Sequence, residues 1–298
     1  PPTLDGNRFL VKFDYNLSQN HKISLRHSYT SLDNLEAVRS SSRNIRFLNS
    51  SEFFPSVTNS TALEINSTFG NSMANSFILG ATFVRDDRDP SGGNFPFVDI
   101  QDGSGRIRFG SEQFSTANQL DQDVITLTNN FEIFKGKHTI TIGTHNEFYN
   151  IYNLFIRQNY GVYEYDNLNQ FLNNDPASEW YRSYSLVDNI TGDGSAAAAA
   201  FKAMQLGFYV QDEFQVTDDF KLISGLRIDV PIFNDDTPEN PQFNEQTIPL
   251  IESLGYDLKG ARLGSFVDPQ VMFAPRLGFN WDVSGDQRTQ LRGGLGVF

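Results

Sequence analysis

The chain has 298 residues and a net charge of −13, from 36 acidic against 23 basic side chains, so it lacks the basic footprint that nucleic acid binding needs and no nucleic acid partner is expected. The absence of cysteine excludes a disulfide scaffold, a thiolate metal site and cysteine catalysis. No run approaches the ~18 apolar residues of a membrane-crossing helix, but a barrel strand needs only about 9 to 11 residues of alternating character, which hydropathy windows miss.

Such alternation opens the chain. From Arg8 to Tyr29, Phe9, Val11, Phe13 and Tyr15 interleave with Arg8, Lys12 and Asp14; beyond the turn Leu17-Ser18-Gln19-Asn20, Ile23, Leu25, His27 and Tyr29 interleave with Lys22, Ser24, Arg26 and Ser28. An interval of two puts each set on its own face, so this is a hairpin with one apolar and one wet side. The pattern returns at Thr61 to Phe69, paired through Gly70-Asn71-Ser72-Met73-Ala74 with Ser76 to Arg85. A third hairpin joins Asp121 to Phe134 with His138 to Phe155, a fourth Gln205 to Val216 with Lys221 to Val230, and a fifth Phe273 to Val283 with Thr289 to Phe298. Ten strands in five hairpins are therefore expected.

The connections alternate in length. Turns inside hairpins are about three to five residues, whereas Ser31 to Ser60, Asp86 to Leu120, Ile156 to Met204 and Pro231 to Met272 separate the hairpins. Structureless loops beyond ~12 to 15 residues are uncommon in compact soluble domains. If successive strands are antiparallel, all short turns lie at one end of the sheet and all long loops at the other, as in outer-membrane barrels with short periplasmic turns and long extracellular loops. The fold class expected is all-β, an antiparallel transmembrane barrel segment, rather than an extended soluble β architecture.

Charge segregation agrees. Lys12, Arg26, Glu64, Glu147, Glu213 and Arg227 fall on the polar face, where a wet or filled lumen would hydrate them, while an Arg or Lys facing lipid costs ~2 to 4 kcal/mol at mid-depth. Tyr15, Tyr29, Tyr149, Tyr152, Phe214, Phe220 and Trp281 lie near strand ends and suit interfacial girdles. Within the loops, Gly103 to Phe109 reads as a small strand outside the membrane, and Ser195 to Gln205, with five consecutive alanines, reads equally as a short helix or an irregular loop. Pro275 removes a donor, so it is expected near a strand end or at a bulge. The start Pro1-Pro2-Thr3 is not a signal peptide, and Leu291 to Phe298 stops within a strand pattern, so the chain reads as a piece of a longer protein.

Catalytic signatures are missing: there is no HExxH, no nucleophile elbow, no Walker-type loop and no GxGxxG after a strand, and Gly293-Gly294-Leu295-Gly296 reads as close packing. No catalytic residue, no cofactor and no enzymatic activity are expected. His21, His27, His138 and His145 have no compact ligand spacing. The acidic clusters Asp86, Asp87 and Asp89, then Asp99 and Asp102, then Asp235, Asp236 and Glu239 lack the EF-hand spacing and read as solvated loops, so no metal is expected. Tyr160, Tyr163, Tyr165, Phe171, Trp180, Tyr181 and Tyr184 share one connection. They suit contact with a glycan, peptide or chelate, and equally suit packing that loop into a cap.

Specific words then come into view. Lys137-His138-Thr139-Ile140-Thr141-Ile142-Gly143-Thr144 with Glu147-Phe148, Leu206-Gly207-Phe208-Tyr209-Val210-Gln211-Asp212-Glu213-Phe214, Leu222-Ile223-Ser224-Gly225-Leu226-Arg227-Ile228-Asp229, and Phe273-Ala274-Pro275-Arg276-Leu277-Gly278-Phe279-Asn280-Trp281-Asp282 with Leu291-Arg292-Gly293-Gly294 together resemble the barrel half of TonB-dependent outer-membrane receptors. The closer resemblance is to the Oar-like receptors of Bacteroidetes. It covers the region after Leu120; the earlier part rests on the hairpin pattern.

The resemblance implies a barrel of about 22 strands in the outer membrane, bounded by its lipid and filled by an N-terminal plug. Through that plug the inner-membrane TonB–ExbB–ExbD complex would energise uptake of a scarce chelate, peptide or glycan. This chain shows neither the plug nor a TonB box, so residues 1–298 are expected to be a partial barrel domain. By face and family position Glu147, Gln211, Glu213, Arg227 and Arg276 are candidate lumen or plug contacts, and Tyr160, Tyr163, Tyr165, Trp180 and Tyr181 are candidate extracellular ligand contacts. A surface lipoprotein or envelope-complex subunits stay open as partners. The competing reading is a non-transporting barrel serving surface adhesion or envelope assembly.

Overall fold

The computed structural model describes residues 2–185, 194–233, 239–266 and 268–297. In chain order the elements are β1 (Thr3–Asn16), β2 (His21–Glu36), β3 (Asn44–Arg46), β4 (Glu52–Phe69), β5 (Met73–Pro90), β6 (Phe97–Asp102), β7 (Gly105–Phe109), β8 (Asn118–Lys135), β9 (His138–Phe155), β10 (Val162–Tyr165), α1 (Leu168–Leu172), β11 (Glu179–Tyr181), β12 (Ala199–Gln215), β13 (Phe220–Phe233), α2 (Ile248–Ser253), β14 (Met272–Asp282) and β15 (Gln290–Gly296). Ten of the strands form one antiparallel sheet in the order β1-β2-β4-β5-β8-β9-β12-β13-β14-β15, the five expected hairpins laid side by side.

Several strands run further toward the loops than their alternation suggests. β2 reaches Glu36, β4 starts at Glu52 rather than Thr61, β5 reaches Pro90, and β8 starts at Asn118. Parts of these extensions are polar on both faces, as at Thr58 to Ser60 or Asp86 to Asp89, and at Phe53 and Phe54 two apolar residues are adjacent, so they carry no period-two signal. The alanine run is neither helix nor free loop: a 3-10 turn at Ser195–Ala197 leads directly into β12. Pro275 sits near the start of β14, and its carbonyl accepts from Val297 just beyond the β14–β15 ladder. Its missing donor points the same way, so the β13 side loses nothing.

Register fixes the tilt. One row of partners runs His21, Ser67, Asn75, Phe131, Ile142, Val210, Leu226 and Pro275. His21 opens its strand at the turn end, Phe131 lies four residues from that end of β8, and Pro275 lies seven from that end of β14. The row thus climbs one residue per strand, which at ~3.3 Å of rise against ~4.8 Å of spacing tilts the strands by about 35°, the value expected of a barrel wall.

One face of this sheet carries an apolar belt with sharp limits. On β5, Phe77, Leu79, Ala81 and Phe83 are bracketed by Asn75 and Arg85; on β12, Met204, Leu206, Phe208 and Val210 are bracketed by Lys202 and Asp212. Each bracket spans ten residues, which at that tilt is about 27 Å of height, close to the ~25 Å apolar band of membrane barrels. Arg85 pairs with Asp123 at 2.5 Å, and Asn150 donates to Asp123 at 3.2 Å, closing the belt on the loop side. On the turn side His138 Nδ1 lies 2.7 Å from Asp212 Oδ2, with Phe214 stacked on the imidazole at 4.3 Å. Among the described residues no second layer covers the belt: Phe208, Val210 and Ile142 are 54%, 46% and 51% exposed. Polar residues inside it are tied locally, Asn75 donating to Asn129 and Asn146 donating to Thr144.

The closely packed core lies elsewhere. A mixed five-stranded sheet, β11-β10-β6-β7-β3, folds from the loops and buries Ile100 and Val162 to 1% exposure. Only its β7 was expected, from Gly103 to Phe109. In the intact protein, Leu127→Arg in mid-belt should cost ~2 to 4 kcal/mol in reversible unfolding from lipid vesicles, and Thr141→Arg on the opposite face less than about 1 kcal/mol.

Candidate functional site

The opposite face carries Lys12, Arg26, Glu64, Glu147, Glu213 and Arg227. Rows of partners place Asn130, Gly143, Tyr209 and Arg227 side by side, with Thr128, His145, Gly207 and Asp229 in the next row. Gly143 has no side chain, and a Cβ there would overlap the Tyr209 ring. Tyr209 therefore lies flat across β9, and its hydroxyl donates to Asn130 Oδ1 two strands away. The guanidinium of Arg227 sits 5.6 Å from the Tyr209 ring centroid and grips Asp229 with two bonds of 2.7 Å. Such forks are rigid and specific. Gly207 gives Arg227 its space in the same way.

A second chain of contacts adjoins this one. Thr128 Oγ1 and His145 Nδ1 are hydrogen-bonded at 2.7 Å, His145 Nε2 lies 3.4 Å from Glu147, and the Tyr149 hydroxyl donates to Glu147. Tyr149 thus serves the polar face and does not join the aromatic girdle expected of it. An open hollow of about 260 Å³ is lined by Thr128, His145, Tyr209, Gln211, Arg227 and Arg276. Of the five candidates on this face, Gln211, Arg227 and Arg276 share the hollow, Glu147 borders it, and Glu213 lies nearer the turns, paired with Lys221 at 2.9 Å. Tyr209, Asp229, His145 and Asn130 were missed. The cross-strand pairing of Gly143 with Tyr209 was the available signal.

The loop aromatics divide between two surfaces. Tyr163 and Trp180 are cross-strand neighbours with centroids 6.3 Å apart, and Tyr165 meets Phe171 of α1 edge-on at 5.2 Å, all on one face of the small sheet. Tyr181 faces the other way and donates to Glu164 at 2.8 Å. Burial, with that bond to Glu164 second, pushes its phenol up to about 12. Tyr160 stands apart, its phenol raised by burial and by Asp89. Trp180 is 58% exposed. Asp99 is not solvated, contrary to expectation: it is buried, and Arg106 and Arg108 each donate to it at 2.9 Å. Asp235 and Asp236 lie outside the described residues.

Against known proteins, the profile of the outer membrane beta barrel domain matches residues 1–298. The chain belongs to that family. Its apolar belt therefore faces the hydrocarbon of the outer membrane and its polar face the lumen. The barrel domain resembles the outer membrane transporter YddB from Escherichia coli (TM-score 0.58, 12% identity, 96% of this chain and 31% of that one). It is similar to the ferric-catecholate import receptor Fiu from E. coli K12 in its open form (0.58, 14%, 99% and 47%) and to P. aeruginosa FpvA bound to a heterologous pyoverdine (0.59, 11%, 98% and 35%). These likenesses concern the fold, and the chain spans a third to a half of each of those proteins. No curated protein matches it in sequence.

Gly143→Ala should displace Tyr209 and cost ~1 to 3 kcal/mol, and Tyr209→Ser in that background should recover most of the loss in a double-mutant cycle. Because the Tyr181 phenol is raised in the fold, its contribution is complete below pH ~10 and lost as pH rises toward 12. An ultraviolet titration should show the loop sheet loosening across that window, and Tyr181→Phe should remove that component.

Proposed function

We propose that this domain is part of the wall of a TonB-dependent receptor of the Oar-like branch, which imports a scarce chelate, peptide or glycan across the outer membrane. On this reading the complete barrel has about 22 strands, and an N-terminal plug and the remaining strands lie outside residues 1–298. The loop end faces the exterior and the short turns face the periplasm, where the TonB–ExbB–ExbD complex acts through the plug. The observation that carries the reading is the division of labour along the wall. A fixed network of Tyr209, Arg227, Asp229, His145 and Glu147 lines the lumen, beneath an aromatic cap at one end only.

The roles follow from position. Trp180, Tyr163 and Tyr165, with Tyr160 and Tyr181 nearby, form the surface that first meets the ligand, where rigid rings give contact area at small entropic cost. Arg227, Arg276, Gln211, Glu147 and Glu213 hold the plug or the passing ligand by charge and hydrogen bonding. Two of these barrels of like fold, YddB and Fiu, are named for transport or import, which fits the reading.

The test is depletion of medium solutes, followed by mass spectrometry, in cells with and without the receptor and with and without TonB. A solute should be depleted only when both are present. Equal depletion in cells lacking TonB would defeat energised uptake.

A further inference from the structure

The luminal face of the first hairpin carries a charge imbalance that the network above does not use. Arg8, Lys12, Lys22 and Arg26 all lie on the luminal face of β1 and β2. Lys12 and Arg26 are direct cross-strand partners, a like-charge juxtaposition that ordinarily destabilises a sheet. Asp14 serves Lys12 at 3.1 Å and Lys22 at 3.4 Å, and the Ser24 hydroxyl donates to it as well. Glu64, across from Ser24, accepts from Asn66 at 2.5 Å. Among the described residues Arg8 and Arg26 have no carboxylate partner. Further round the wall, by contrast, Arg227 is matched by Asp229 and Lys221 by Glu213. In a chain with a net charge of −13, four cations against Asp14 and Glu36 on this face reverse the overall balance.

The neighbouring wall leaves room beside them. The row containing Lys12 and Arg26 continues into Ala62 and Gly80, and the row above continues from Ser28 into Ser60 and Thr82, whose hydroxyls are hydrogen-bonded at 3.1 Å. The cations thus border a low floor of small and hydroxyl-bearing side chains. Guanidinium forks and ammonium groups bind carboxylate and phosphate oxygens with charge-assisted bonds, and a confined lumen screens them less than open water does.

We propose that Arg8, Lys12 and Arg26 form an oxyanion subsite in the lumen, which takes a small solute carrying two or more carboxylate or phosphate groups. Lys12 and Arg26 stand opposite each other, about 5 Å apart across the ladder, so the groups of one small solute can engage both, with Arg8 flanking them on β1. Bound anion relieves the Lys12–Arg26 repulsion, which links occupancy to stability. The inference rests on the barrel wall and its lumen and is independent of energised uptake.

Isothermal titration of the full-length protein in detergent with citrate and with pyrophosphate tests it. Binding should weaken as salt rises and by at least about ten-fold in the Lys12→Gln/Arg26→Gln double variant. Arg288→Gln, which removes one positive charge in an exposed turn, should bind as the parent does. In melting experiments without ligand, Arg26→Gln should raise the midpoint, and citrate should stabilise the parent but not the double variant. Absence of binding to either probe, equal affinity in the double variant, or an equal loss in Arg288→Gln would overturn the proposal.

Discussion

A β-strand in hydrocarbon must satisfy every backbone donor and acceptor sideways while its side chains divide between oil and water. That requirement organises this chain. Pairing with neighbours takes care of the backbone, and the interval of two takes care of the side chains. The decisive detail is the length over which the division holds. Four apolar side chains on β5 and four on β12 are each bracketed by polar residues ten positions apart, and beyond Arg85 the loop side of β5 is charged on both faces. A soluble sandwich would cover such a belt with a second sheet. Here the belt is open, and the large apolar side chains that are fully buried, Ile100 and Val162, belong to the small loop sheet.

The luminal face obeys a different rule. It is wet, so charges are tolerated, but its order comes from geometry that register imposes. Gly143 and Gly207 leave gaps into which Tyr209 and Arg227 recline; Tyr209 reaches Asn130 two strands away, and Arg227 lies against the Tyr209 ring while forking onto Asp229 of its own strand. Contacts that span two strands make the wall stiffer than pairing alone would, and they turn a row of separate residues into a surface with a defined shape. The same wall is uneven in charge: matched pairs on β12 and β13, but Arg8 and Arg26 on β1 and β2 without a carboxylate among the described residues.

Much of this was legible in the residues. The hairpins at Phe9 to Tyr29, Ile125 to Phe148 and Leu206 to Val230 declare themselves because oil on one side and water on the other enforce alternation. Loop-side extensions such as Ser56 to Ser60 and Asp86 to Asp89 did not, since water on both sides selects no period. The small sheet was nearly invisible: β3, β10 and β11 have three or four residues each, and β3 pairs with β7 some sixty positions away. Arg227 and Gln211 could be placed on the polar face from parity alone, whereas the reach of Tyr209 to Asn130 depends on which residue stands opposite Gly143.

Because the chain has no native cysteine, single cysteines along β12 can report its surroundings without background. Spin labels placed in turn from Lys202 to Asp212 in the membrane-reconstituted protein should show oxygen accessibility at Met204, Leu206, Phe208 and Val210, and accessibility to a water-soluble relaxant at Ala203, Gln205, Tyr209 and Gln211. Uniform access to water along the strand, or a period other than two, would contradict the membrane-facing belt.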